Sequence, residues 1–91
     1  MLIALIAKDK AGALDIRKAN RDDHVAYLKA SGETVMMAGP FLNDAGDMCG
    51  SLIILNVADM AEAQAWAAAD PYKAAGLFES VELTAWNKVL G

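Results

Sequence analysis

Apolar positions fall along this chain in two rhythms. Leu2-Ile3-Ala4-Leu5-Ile6-Ala7 is apolar at every position, the pattern of a strand covered on both faces and therefore central in its sheet. Ser51 to Val57 repeats that pattern almost without interruption. Val81, Leu83 and Ala85 instead alternate with Glu82, Thr84 and Trp86, so Ser80 to Leu90 reads as a strand with one less buried face, at a sheet edge. Glu33 to Leu42 predicts the remaining strand. Pro40 has no N–H to give a ladder, which puts this strand at an edge or ends it there. Asn43-Asp44-Ala45-Gly46-Asp47 is a dense turn signal, and it joins the second and third strands as a hairpin.

Between these strands the spacing changes to three and four. Asn20 predicts an N-cap, with Asp22 and Asp23 in the first turn, where carboxylates favour the positive end of the helix dipole. This helix runs to about Ser31 and Gly32 stops it. Its inward face is Asn20, His24, Tyr27, Leu28 and Ser31. Lys8 to Ala13 reads as a loop, and Leu14 to Ala19 is open between a helical turn and an irregular approach. Asp59 caps a second helix, with Glu62 placed as in a capping box, and Met60, Ala63, Trp66 and Ala67 form its packing face. Asp70-Pro71 closes that helix, and Lys73 to Gly76 is a short turn.

The order β-α-β-β-α-β predicts an α+β fold, the ferredoxin-like sandwich: a four-stranded antiparallel sheet with two helices on one face and the first and third strands central. The other sheet face is then open and carries half the side chains of the two most apolar strands. That predicts a homodimer formed through the sheets.

Composition changes this picture little. Ninety-one residues make one domain, spanning 1–91. The hydrophobic fraction is 56 %, above the roughly 45–50 % of ordinary soluble domains, which again points to an oligomer. Net charge is −4. Lys8, Lys10, Arg17, Lys18 and Arg21 gather near the first helix without aromatics to stack on bases, so nucleic acid is not an expected partner. The apolar runs are far too short to cross a bilayer, and Met1-Leu2-Ile3 lacks the basic start of a signal peptide. No membrane partner is expected. Cys49 is the single cysteine and has no internal partner for a disulfide, which fits a reducing cytoplasm.

Two side chains carry chemical promise. His24, the single histidine, sits one turn into its helix on the inward face; imidazole is the group whose protonation changes near neutral pH. A core histidine with satisfied nitrogens is the plainer reading. Asp70 ends a helix and precedes a proline, so capping the next turn is its plainer role. A carboxylate bonded to one ring nitrogen would fix the tautomer and leave the other nitrogen free as a base. No Gly-x-Ser-x-Gly elbow offers a nucleophile, and one histidine with one cysteine is too few for a zinc site. The adjacent residues of Asp22-Asp23-His24 diverge on a helix. Neither metal nor organic cofactor is therefore expected.

The opening strand, His24-Val25-Ala26-Tyr27-Leu28, Ala38-Gly39-Pro40, Gly50-Ser51-Leu52, Ala68-Ala69-Asp70-Pro71-Tyr72 and Ala75-Gly76-Leu77-Phe78-Glu79 occur in an order and spacing that resembles the YCII-related (YciI-like) family over essentially the whole chain. The resemblance implies a dimeric α+β barrel with a pocket between helices and sheet, and a catalytic histidine–aspartate dyad falling on His24 and Asp70. Its wider superfamily includes lactone isomerases and small monooxygenases.

Arg17 reads as a solvated arginine or as a group reaching the pocket mouth to hold an anionic substrate. Gly39, Pro40, Ser51, Tyr72 and Trp86 are expected to line a substrate pocket, while Cys49 reads as small core filler. Two functions follow. One is a small cytoplasmic enzyme that carries out isomerisation or elimination on a small organic metabolite, with His24 as acid or base oriented by Asp70. The other is a domain of the same fold that binds a small ligand without chemistry.

Overall fold

The computed structural model describes residues 1–91. Strands β1 (Leu2–Asp9), β2 (Val35–Leu42), β3 (Met48–Asn56) and β4 (Phe78–Trp86) alternate with helices α1 (Leu14–Ala30), α2 (Met60–Ala68) and the single turn α3 (Pro71–Ala74). They form one antiparallel sheet in the order β2-β3-β1-β4. The two strands apolar throughout are thus the central pair, as their pattern predicts, and the fold is the ferredoxin-like α+β sandwich.

Register decides which side chains face the helices. Leu5 lies opposite Ile53 on one side and Leu83 on the other, and Ile53 lies opposite Ala38. Directly opposed residues share a sheet face, so Ile3, Leu5, Ala7, Ile53 and Leu55 point together under the helices. All five are buried, and they pack with Val57, Ala63 and Trp66 as the main core. Each large aliphatic chain sealed there contributes about 1.5–3 kcal/mol. Trp66 also bridges the two long helices: its indole N–H donates to Ser31 Oγ at 2.9 Å, while the Tyr27 hydroxyl donates to the Trp66 carbonyl at 2.8 Å. A smaller cluster of Ala13, Tyr72 and Leu77 closes the end near α3.

Several boundaries differ from the sequence expectation: β1 runs on through Asp9, β3 begins at Met48 rather than Ser51, and β4 begins at Phe78 rather than Ser80. Helix α1 starts at Leu14 rather than after Asn20. The Asn20 amide donates to the Ile16 carbonyl inside the helix, so it caps nothing, and Arg17 becomes a helical residue. Thr34 and its two predecessors form a 3-10 turn before β2. At the other end β4 stops at Trp86 instead of Leu90; Trp86 pairs with Leu2, the first residue of β1, where the ladder between the two strands ends. The second capping signal behaves as expected: Asp59 accepts from the Glu62 N–H, and Glu62 accepts from the Ala58 N–H. No helix is long and apolar enough to cross a membrane.

Candidate functional site

Helix α2 breaks at Ala69, and the chain turns extended at Asp70 before Pro71 opens α3. Proline suits the first position of a helix because its missing N–H would have no partner there. Asp70 is 1 % exposed, and its Oδ1 accepts from the Tyr72 N–H at 2.9 Å. The same oxygen lies 2.9 Å from His24 Nδ1, across 46 positions of chain. Capping and pairing are therefore two duties of one atom. The other oxygen, Oδ2, is buried with no hydrogen-bond partner in the protein. A carboxylate so lightly satisfied holds a neighbouring N–H strongly, since little else competes for its charge.

The imidazole is clamped from the side as well. Its ring stacks on Tyr72 with centroids 3.9 Å apart and planes inclined by 16°. The Arg17 guanidinium also lies over the Tyr72 ring, 4.7 Å from its centroid, and Phe78 meets that ring in a T-shaped contact. Tyr72 thus holds the acid through its backbone and the base through its ring. With Nδ1 engaged by Asp70, Nε2 is the nitrogen without a protein partner. Burial pushes the Tyr72 phenol above its ordinary pKa, and the Arg17 cation partly offsets that rise.

Arg17 is fixed by three hydrogen bonds. Its Nε and Nη2 donate to the two carboxylate oxygens of Asp9 at 2.7 and 2.8 Å, and Nη2 also donates to Ser51 Oγ at 2.9 Å. Burial would lower the Arg17 pKa, but the hydrogen bonding and charge of Asp9 outweigh it, so the group is held above its usual value. Beside these residues lies a cavity of about 160 Å³, bounded by α1 on one side and β2 and β3 on the other. Its polar lining is Arg17, Arg21, His24, Ser51 and Tyr72, and its walls include Val25, Leu28, Pro40, Met48 and Ile53. An apolar cavity of roughly 150 Å³ is known to take benzene. This one has a comparable volume. No group of three or more His, Cys, Asp or Glu side chains converges on a metal position.

The model of the YCII-related domain matches residues 1–87. The chain belongs to the YCII-related family. Protein YciI of Escherichia coli (strain CFT073) is 38 % identical over 97 residues, covering 98 % of this chain and 99 % of that protein. Among solved structures, the 5-chloro-2-hydroxyhydroquinone dehydrochlorinase TftG of Burkholderia phenoliruptrix AC1100, in complex with 2,5-dihydroxybenzoquinone, superposes with a TM-score of 0.88. It is 32 % identical, and the match covers 96 % of this chain and 94 % of that one. A putative antibiotic biosynthesis monooxygenase from Bacteriodes thetaiotaomicron, 14 % identical with a TM-score of 0.60 over 99 % of this chain and 90 % of that one, shares the fold alone.

In this YCII-related chain the cavity gathers His24, Arg17, Gly39, Pro40, Ser51 and Tyr72, with Asp70 directly behind the histidine. Trp86 is the exception. It is opposed to Leu2, on the sheet face turned away from the helices, and is 42 % exposed. Its own strand alternation already assigns Trp86 to the less buried face, so a place in a pocket under the helices contradicts the period of two. Arg17 is no solvated arginine: it is 2 % exposed, because the longer α1 turns it inward. Cys49 is exposed rather than core filler. Asp9, Arg21 and Met48 were not expected at the site. Arg17, Arg21 and His24 share one face at spacings of four and three, a signal readable only once the helix is known to begin at Leu14.

Proposed function

We propose that this protein is a small enzyme that carries out an elimination or an isomerisation on an oxygenated ring, with His24 moving the proton and Asp70 orienting it. The observation that carries the reading is the His24 Nδ1–Asp70 Oδ1 contact of 2.9 Å beside a cavity of ring size. Nε2 takes a proton from a ring hydroxyl or carbon, and the electron pair left behind moves into the ring. In an elimination a substituent departs with its bonding pair as an anion, and the imidazolium passes its proton to solvent. In an isomerisation the proton returns to another ring position. Proton transfer of this kind needs no oxidant or reductant. Arg17, held by Asp9 and Ser51, faces the ring's oxygens; Gly39 and Pro40 form the wall on β2. The likeness to TftG, named a dehydrochlorinase of a hydroxylated hydroquinone, supports elimination. The single cysteine supports a cytoplasmic setting.

The test is halide release from 5-chloro-2-hydroxyhydroquinone, followed in the wild type and in Asp70→Asn. Asparagine caps helices about as well as aspartate, so α3 should persist and the thermal midpoint should stay within a few degrees. It cannot supply the charge that stabilises an imidazolium, so kcat is expected to fall by about 10²–10⁴-fold. Full activity in the asparagine variant would remove Asp70 from the mechanism. Saturable binding without turnover in the wild type would favour a ligand-binding domain.

We also propose that two copies pair through the open sheet face. Leu2, Ile6 and Leu52 lie there with Met37, Phe41 and Trp86, which are 50 %, 38 % and 42 % exposed. An apolar face of this kind marks an association surface. Light scattering is expected to give twice the 9.6 kDa chain mass for the wild type and the single mass for Met37→Lys/Trp86→Lys. A wild-type monomer at micromolar concentration would overturn the pairing.

A further inference from the structure

The cavity holds two guanidinium groups of unequal standing. The charge of Arg17 is already met by Asp9, at 2.7 Å, and its remaining short contact is to Ser51. Arg21 follows one turn later on the same face of α1, three residues before His24, and also lines the cavity. It is exposed and takes part in no side-chain hydrogen bond or ion pair. Its charge nevertheless reaches inward, where it helps hold down the phenol of Tyr72 against burial. Asp22 and Asp23 beside it are exposed and contribute nothing to the lining. Asp70 lies behind the imidazole, its charge engaged by His24 and the Tyr72 N–H. Arg21 is therefore the one unmatched charge at the mouth of an otherwise largely apolar slot.

We propose that Arg21 sets the charge preference of the site: the cavity takes a single ring bearing one anionic oxygen substituent (phenolate, enolate or carboxylate), and Arg21 meets that oxygen at the mouth. A neutral ring of the same size makes no such charged contact at the mouth. The inference rests on the acid/base reading of the same cavity, and adds the substrate's charge class and the residue that selects it. Arg21 binds; it transfers no proton. An exposed guanidinium suits this duty, because it keeps its hydration until a guest arrives and its planar fork then pairs with an oxyanion.

Benzoate and benzamide separate charge from shape, being nearly equal in size. Both are titrated into wild type, Arg21→Gln and Arg21→Glu at low ionic strength, with amide chemical shifts of α1 and β2 as the readout. Wild type is expected to prefer benzoate. Arg21→Gln should weaken benzoate about fivefold and leave benzamide unchanged, Arg21→Glu should weaken benzoate further, and added salt should narrow the wild-type preference. Equal loss of both probes, or of neither, overturns the role of Arg21 while leaving the acid/base reading, which is judged on Asp70 and His24 turnover, intact. If neither probe saturates the wild type, the charge-selecting role of Arg21 falls, while the acid/base reading still stands or falls on turnover.

Discussion

Replacing His24 by alanine is expected to lower turnover by about 10²–10⁴-fold, the usual worth of a positioned acid–base group. The same change should also cost stability. Asp70 would keep one donor, the Tyr72 N–H, while its second oxygen already has none. Tyr72 would lose its stacking partner. Leaving a buried charged group short of a partner is expensive, so a lower thermal midpoint in His24→Ala would not by itself separate chemistry from folding. His24→Asn makes the separation. Its amide nitrogen falls near the place of Nδ1 and can donate to Asp70 Oδ1, but nothing replaces Nε2. The expected result is a melt closer to wild type than that of the alanine variant, with turnover equally lost. Wild-type kcat in a folded His24→Asn protein would end the proposal that Nε2 moves the proton.

The largest effect on folding is expected at Arg17. Arg17→Met keeps much of the length of the side chain but leaves Asp9 as a buried carboxylate, 5 % exposed, without its ion-pair partner. Breaking a buried pair on one side costs about 3–5 kcal/mol. In a chain of this size that lowers the midpoint by on the order of 20 °C. Removing both charges, as Asp9→Leu/Arg17→Met, should recover most of the loss, because the penalty lies in the unpaired ion rather than in the absent bond. Chemical denaturation of the two single variants and the double variant gives the coupling directly. Additive losses would show that the pair is not the unit it looks. The double variant should still turn over poorly, since it lacks the cation beside Tyr72 and the donor to Ser51.

Much of this architecture is legible from local pattern. The nearly unbroken apolar runs at Leu2–Ala7 and Ser51–Val57 name the central strands, because a strand flanked by neighbours on both edges keeps few positions for polar side chains. Asp59 and Glu62 announce the start of α2, and Asp70-Pro71 both the end of α2 and the start of α3, because capping is settled within one turn of chain. The start of α1 was obscured by Asn20, whose side chain bonds back to Ile16 rather than capping. Asparagine makes either bond readily, and which one wins depends on whether the chain before it is already helical. Here it is, held by the packing of Ala13 and Arg17 against Tyr72.

The candidate site divides in the same way. His24 and Asp70 could be nominated as an inward histidine and an acid at a helix break, and the resemblance to the YCII-related family joined them. That Arg17 is buried while Arg21 stays free could not be read off, since both are arginines on one short polar stretch. Asp9, at the end of β1, makes the difference by placing a carboxylate 2.7 Å from the Arg17 guanidinium. The sequence by itself determined the elements, their order and the residue types available for proton transfer, all of which depend on spacing within a few positions. Only the tertiary structure decided which charges cancel and which remain. The Asp9–Arg17 ion pair spans 8 positions, and the hydrogen bonds of Arg17 to Ser51 and of His24 to Asp70 span 34 and 46; the strength of such contacts depends on distance and burial in space rather than along the chain.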